Sequence, residues 1–236
     1  MNSMGNEIKI PILGLQNAGK SSLIRTLIRE FKSLDNIKPT KGIERIKFPF
    51  LGKDLLLWDF GGQEKYRNDY KKKAELYFSE VQECVYVVDI QDQNSFNDVI
   101  TYFKDIGNEL KTHSPNATIN IVFNKLDPGM ESENGFKQLI TTFGEKLIDS
   151  AKPMSSRVYT TSIFNPLSVI RAFSKPLFGN STLYDNFSLL FMDLVNKNIG
   201  IEFILIMTQE LLEIGNYFVP ELDQTKMKSI ALEIIK

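Results

Sequence analysis

Eight residues near the start of the chain have the types and spacing to hold a phosphate chain. Gly14-Leu15-Gln16-Asn17-Ala18-Gly19-Lys20-Ser21 fits the pattern G-x-x-x-x-G-K-[ST]. Its glycines let the loop curl, so that successive backbone N–H groups converge on phosphate oxygens. A helix beginning at its end adds partial positive charge. In such a loop Lys20 reaches the β- and γ-phosphates and the Ser21 hydroxyl ligates Mg²⁺. Gly14, Asn17, Ala18, Gly19, Lys20, Ser21 and Ser22 are therefore the expected cradle, and they leave the base unspecified.

Asn124-Lys125-Leu126-Asp127 addresses the base. A carboxylate accepts two hydrogen bonds side by side, and guanine offers two adjacent donors, N1–H and the 2-amino group. Adenine has an acceptor at N1 and no 2-amino group, so Asp127 would leave it unpaired, at a cost that discriminates strongly. Asn124 is expected to fix the loop and the base, and the Lys125 stem to cover the purine face. Ser162 and Ile163, within Thr161-Ser162-Ile163, would bring a backbone N–H towards the guanine oxygen.

Two further segments suit a γ-phosphate sensor. In Trp58-Asp59-Phe60-Gly61-Gly62-Gln63, Asp59 is placed to hold Mg²⁺, Gly62 to offer a bare N–H to the γ-phosphate and Gln63 to orient an attacking water. Thr40, in Pro39-Thr40-Lys41-Gly42, is a third metal ligand when a γ-phosphate is present. Loops tethered only through that phosphate and its metal are released on hydrolysis.

The elements that must position these groups follow from hydrophobic patterning. Short apolar runs alternate with helix-like segments, the mark of a mostly parallel sheet with helices on both faces. Strands are expected at Ile8–Leu13, Leu55–Trp58, Val85–Asp89, Ile119–Phe123 and Val158–Thr161. Ile46, Phe48 and Phe50 alternate ahead of Leu51-Gly52-Lys53-Asp54, which predicts a hairpin and the one antiparallel pair. Helices are expected from Lys20 to about Phe31, at Ser95–Lys111, around Glu133–Ser150 and at Pro166–Phe178. Past Phe178 the pattern changes. Gly179-Asn180-Ser181 reads as a linker, followed by a helix to about Asn196, strands at Ile201–Met207 and Leu211–Phe218, and a helix capped by Asp223.

Composition narrows the remaining possibilities. The chain has 236 residues, 28 Lys and Arg against 29 Asp and Glu, and 42% hydrophobic residues. That size suits one large domain with a small appendage. The charge balance gives no signal for nucleic acid. A single cysteine, Cys84, excludes an intrachain disulfide, and no Cys/His cluster suggests zinc. No apolar run reaches the ~18 residues of a membrane span. Asn2 in place of glycine, and no C-terminal cysteine, lead us to expect a cytoplasmic protein that borrows any membrane attachment from a partner.

Taken together, these motifs resemble the Ras-like small GTPases over residues 7–178. Leu15–Ser21 and Trp58–Gln63 are similar to the Arf branch. Four features resemble the Rag/Gtr GTPases: Phe50-Leu51-Gly52, Tyr77-Phe78, Ser114-Pro115, and Thr161-Ser162-Ile163-Phe164 leading to Ala172-Phe173-Ser174. Leu183 and Asn198-Ile199-Gly200-Ile201-Glu202 are similar to the start of the Rag roadblock-type dimerisation region. Asn124 keeps the common Ras-like form where many Rag proteins replace it.

The resemblance implies a P-loop GTPase domain with a six-stranded sheet (residues 1–179), followed by a truncated roadblock/longin-like dimerisation segment (180–236). It implies GTP/GDP and Mg²⁺ as cofactors, and slow GTP hydrolysis with Gln63 and Lys20 as catalytic residues. It also implies a homo- or heterodimer and roadblock/longin-type partners that relay nutrient status. An activator and an exchange factor remain to be supplied from outside, with no nucleic acid and no direct membrane insertion. The alternative is a nucleotide-bound interaction module with little turnover. An ATP-dependent kinase or transport ATPase is disfavoured by Asp127.

Overall fold

The structure, a computed structural model, describes residues 7–50, 53–130, 134–178, 194, 201–207, 213–218, 222–223, 226–227 and 230. The chain divides into two compact units, 1–169 and 170–236.

In the first unit a six-stranded sheet runs in the order β2-β3-β1-β4-β5-β6. Its strands are β1 (Glu7–Leu13), β2 (Ile43–Phe50), β3 (Lys53–Phe60), β4 (Glu83–Asp89), β5 (Thr118–Asn124) and β6 (Ser155–Thr160). Only β2 and β3 pair antiparallel, from Ile43↔Phe60 to Phe50↔Lys53. Lys53 and Asp54, expected in the turn, therefore belong to β3, and Leu51-Gly52 lies outside the described residues. Pro11 has no N–H to give a ladder. Accordingly β1 pairs with β3 from Glu7 to Ile12, and with β4 only beyond the proline, at Ile12 and Leu13.

β4 and β5 are buried on both faces, which explains their continuous apolar runs. On one face Cys84, Tyr86, Ile119, Ile121 and Phe123 pack with α4 (Phe96–His113) and α5 (Asn134–Ala151). Tyr86 and Phe103 meet edge to face at 4.9 Å. The other face carries α1 (Lys20–Leu27), whose Leu23, Ile24 and Leu27 are buried. Helices thus cover both faces, as expected.

Two departures concern the segments flanking the site. Helix α1 stops at Leu27, four residues short of the expected Phe31. Arg29 takes a left-handed conformation (φ 62°). The Glu30 N–H donates to the Arg25 carbonyl at 2.8 Å, and the Arg29 N–H to that of Thr26 at 3.2 Å. This closes the helix in a Schellman-type cap. The chain then turns through a 3-10 segment, Phe31–Asn36. Two short helices, α2 (Glu64–Lys72) and α3 (Ala74–Phe78), follow β3, where no helix was expected. Polar residues dominate α2, and only Tyr70 of that helix is buried.

The second unit begins within α6 (Pro166–Phe178), whose limits match expectation. Further on, β7 (Phe203–Met207) and β8 (Glu213–Phe218) form an antiparallel pair with Phe203 and Phe218 stacked at 5.6 Å. Asp223 caps a turn, accepting the Lys226 N–H on Oδ1 at 3.1 Å and the Met227 N–H on its carbonyl at 3.0 Å. The helix expected up to Asn196 falls almost wholly outside the described residues, as does Thr208-Gln209-Glu210.

Candidate functional site

The carboxyl ends of β1, β3, β5 and β6, with Thr40 in the segment ahead of β2, carry the expected site residues of the first unit. Between β1 and α1, the phosphate loop bends through left-handed conformations at Asn17 (φ 63°) and Gly19 (φ 89°). Gly19 also approaches Asn124 so closely that a Cβ would collide with the Asn124 side-chain amide. Here glycine is required on both counts.

Lys20 lies folded along the loop, 6% exposed. Its ammonium donates to the Gly14 carbonyl at 3.1 Å and the Leu15 carbonyl at 2.8 Å. Burial pushes its pKa down to about 8; Arg67 pushes the same way and Asp59 opposes. A cavity of about 430 Å³ opens before it, bordered by Ser21, Thr40, Gly62, Gln63 and Lys125.

Three expected metal ligands meet here. Asp59 Oδ2 accepts the Ser21 hydroxyl at 2.5 Å and the Thr40 hydroxyl at 2.9 Å, and those two oxygens are 3.0 Å apart. Asp59 is 1% exposed, and its Oδ1 is buried with no partner among the described residues. A buried carboxylate oxygen left unpaired is costly, and a cation satisfies it. Two hydroxyls and a carboxylate are hard oxygen donors of the kind Mg²⁺ takes beside phosphates. The donor set fits that ion.

The two segments expected to sense a γ-phosphate are locked together. The Gly61 N–H donates to the Gly42 carbonyl at 2.8 Å, and the Tyr70 hydroxyl reaches the same oxygen at 2.7 Å. Gly62 lies so close to the Leu15 and Gln16 backbone that a Cβ would overlap it. Gln63 stands at the start of α2 with its carbonyl accepting the Tyr66 and Arg67 N–H groups.

At the base-reading end, Asn124 is 2% exposed; it donates to the Ala18 carbonyl at 2.9 Å and accepts the Thr161 hydroxyl at 3.1 Å. It ties the base loop to the phosphate loop. Asp127 Oδ1 accepts the Ser162 hydroxyl at 2.7 Å. Ser162 was expected to act through the backbone of its loop; its hydroxyl braces the carboxylate instead, and its own N–H donates to Ser168 Oγ at 3.0 Å. The adjacent Ile163 amide has no partner among the described residues.

Sequence reading missed Asp89, which ion-pairs with Lys125 at 2.6 Å, and Gln91, which reaches the Lys125 carbonyl at 2.7 Å. It also missed Tyr70. Their partners lie 28 to 36 residues away, and no local pattern marks them.

The sequence matches the Gtr1/RagA G protein conserved region over residues 9–210. It is 29% identical over 129 residues to GTP-binding protein GTR1 of Saccharomyces cerevisiae, covering 53% of this chain and 41% of that protein. It is 33% identical over 105 residues to ADP-ribosylation factor-like protein 3 of the same yeast, covering 42% of this chain and 51% of that one. The chain thus spans about half or less of the curated relatives it matches. Among solved structures, the Arl6 BBS3 small GTPase of Trypanosoma brucei, with bound nucleotide analogue GppNp, shares the fold. Its TM-score is 0.56 at 18% identity, covering 72% of this chain and 95% of that one. The chain belongs to the Gtr1/RagA G-protein family and carries its Ras-like GTPase fold.

Proposed function

We propose that the protein is a guanine-nucleotide switch that binds GTP and GDP with Mg²⁺ and hydrolyses GTP slowly. The observation that carries this reading is the Ser21–Thr40–Asp59 triangle, which joins the phosphate loop to both segments expected to sense a γ-phosphate. Its hydroxyls and the unpartnered Asp59 Oδ1 would hold Mg²⁺, which when bound neutralises charge on the β- and γ-oxygens. The buried Lys20 ammonium neutralises the same phosphates, and the Gly62 N–H contacts the terminal one. Gln63 aligns the attacking water. Asn124, Lys125 and Asp127, with Ser162 and the Ile163 amide, hold guanine.

The place of Arg67 supports the reading of slow turnover. Arg67, four residues past Gln63, rests over the Tyr102 ring at 5.0 Å. An arginine finger is worth ~10³–10⁵ in rate, so a partner would have to supply it.

Residues 180–236 form, on this reading, a roadblock/longin-like segment. The β7–β8 pair supports it: among the described residues it is a two-stranded sheet, which taken alone is marginal in water. It would pair with a second copy, a related GTPase or a roadblock-type protein, and through that partner the cytoplasmic protein would reach a membrane. Among the described residues no helix is long and apolar enough to cross one.

The test is nucleotide identification in purified protein, with the mass of the assembly measured in each nucleotide state. Bound GDP or GTP and a dimer are expected; no guanine nucleotide uptake by folded protein removes the reading. Gln63→Leu should keep nucleotide affinity while slowing single-turnover hydrolysis by about 10²-fold, the scale of a misplaced reactant. Unchanged rates take Gln63 out of the mechanism.

A further inference from the structure

We propose that Gln91 is a specificity-determining residue for the purine base, acting by positioning the Asp127 carboxylate. The inference rests on the reading of Asp127 as the group that accepts guanine's two donors.

Guanine's N1–H and 2-amino group lie side by side in one plane, so both are read only by a carboxylate whose two oxygens lie in that plane. Rotation about its last bond spoils the pairing. Each oxygen has a second lone-pair direction free for a protein donor. Ser162 Oγ fills it on Oδ1 at 2.7 Å, and Gln91 Nε2 stands 3.4 Å from Oδ2. A carboxylate with a donor at both oxygens resists rotation more than one pinned at a single oxygen.

Gln91 is itself held on several sides. Its Nε2 donates to the Lys125 carbonyl at 2.7 Å and lies 3.5 Å from Met130 Sδ. Lys125 O and Asp127 Oδ2 are both pure acceptors, so the amide's NH₂ edge must face them. The Gln91 backbone N–H donates to Asp89 Oδ1 at 3.0 Å, and Asp89 Oδ2 takes the Lys125 ammonium at 2.6 Å. Lys125 is left-handed (φ 64°), a conformation that needs outside support. The loop after β4 therefore clamps the loop after β5 through one glutamine side chain, an exposed position that a packing argument would ignore.

The experiment compares dissociation constants for GDP, inosine diphosphate and ADP in the full chain, for wild type, Gln91→Ala and Gln91→Glu. Inosine keeps N1–H and lacks the 2-amino group, so the GDP:inosine diphosphate ratio reads carboxylate alignment directly. Wild type should prefer GDP over both. Gln91→Ala should shrink the ratio about fivefold, the worth of one modest hydrogen bond. Gln91→Glu, which sets an acceptor against two acceptors, should shrink it further. Equal weakening of GDP and inosine diphosphate in both variants, or an unchanged ratio, overturns the role of Gln91 while leaving Asp127 as the reader. A wild type with no preference for GDP overturns the role of Asp127 and this inference with it.

Discussion

Lys20 makes nucleotide binding depend on a proton. Its pKa falls from 10.5 to about 8 chiefly because the ammonium is buried. Holding that charge in the nucleotide-free protein costs about 3 kcal/mol, at 1.36 kcal/mol per pH unit. The nearby carboxylate of Asp59 compensates only in part. Phosphates arriving before the ammonium reverse the balance, since an opposite charge at contact distance favours the charged form. On the proposed reading, the bound state should therefore keep Lys20 protonated at a pH where the free state has begun to release the proton.

At pH 8 roughly half of the free protein carries neutral Lys20, so binding should take up about 0.5 proton per GDP. At pH 7 uptake from this group should be about 0.1 proton by the same relation. Phosphate's own second pKa is about 6, so the ligand contributes little at pH 8. Affinity should weaken about fourfold between pH 7 and pH 8.5, as the protonated fraction falls from about 0.9 to 0.24. Stability of the nucleotide-free protein runs the other way. The folded pKa lies below the unfolded one, so the unfolded chain binds more protons between about pH 8 and 10.5, and stability rises with pH across that window. Calorimetry of GDP binding at pH 8 in two buffers of different ionisation enthalpy measures the uptake directly. Lys20→Met should abolish it along with most of the affinity. Zero uptake at pH 8 in the wild type refutes the argument.

Two further substitutions probe the rest of the site. Gly62→Ala places a Cβ in the Leu15–Gln16 backbone, so it should retain GDP binding but lose the GTP-dependent change in fluorescence of Trp58, the only tryptophan; a wild-type response in that variant means the close approach is not needed. Asp127→Asn presents a donor where guanine also has one, and should shift preference from GTP to xanthosine triphosphate by at least tenfold in competition binding, with no shift sinking the assignment of Asp127.

What the sequence disclosed depended on whether the information was local. Lys20, Ser21, Asp59 and Asn124 sit in short motifs at the ends of apolar strands, and the structure brings all four to one rim. Strands β4 and β5 were legible as continuous buried runs, and β2 through the alternation of Ile46, Phe48 and Phe50. The stop of α1 was not, because its cap uses Arg29 in a conformation that glycine usually supplies. Helices α2 and α3 were missed because Glu64–Lys72 carries no apolar stripe. The segment buries Tyr70, Ala74 and Phe78, packs Tyr66 and Tyr77 against the same core, and Phe60 meets Tyr70 edge to face at 4.8 Å. Asp89 and Gln91 act across strands, where sequence spacing holds no clue.

The same contacts explain how a small change at the phosphate could move two loops at once. Thr40 and Asp59 share a hydrogen bond, and Gly61, two residues on, is bonded to the Gly42 carbonyl. A Cβ on Gly61 would crowd the Thr40 carbonyl at 2.6 Å, so the two backbones are in contact with no side chain to act as a spacer. Gly62 then touches the phosphate loop. On the proposed switch reading, withdrawing Thr40 from Asp59 should displace Gly61, and with it Gly62, which lies against Leu15. Close packing of three backbones, with few side chains between them, is the arrangement that the proposed switch would move as a unit. Tyr70 ties α2 to the same unit through its bond to Gly42, so on that reading the helix should follow the displacement.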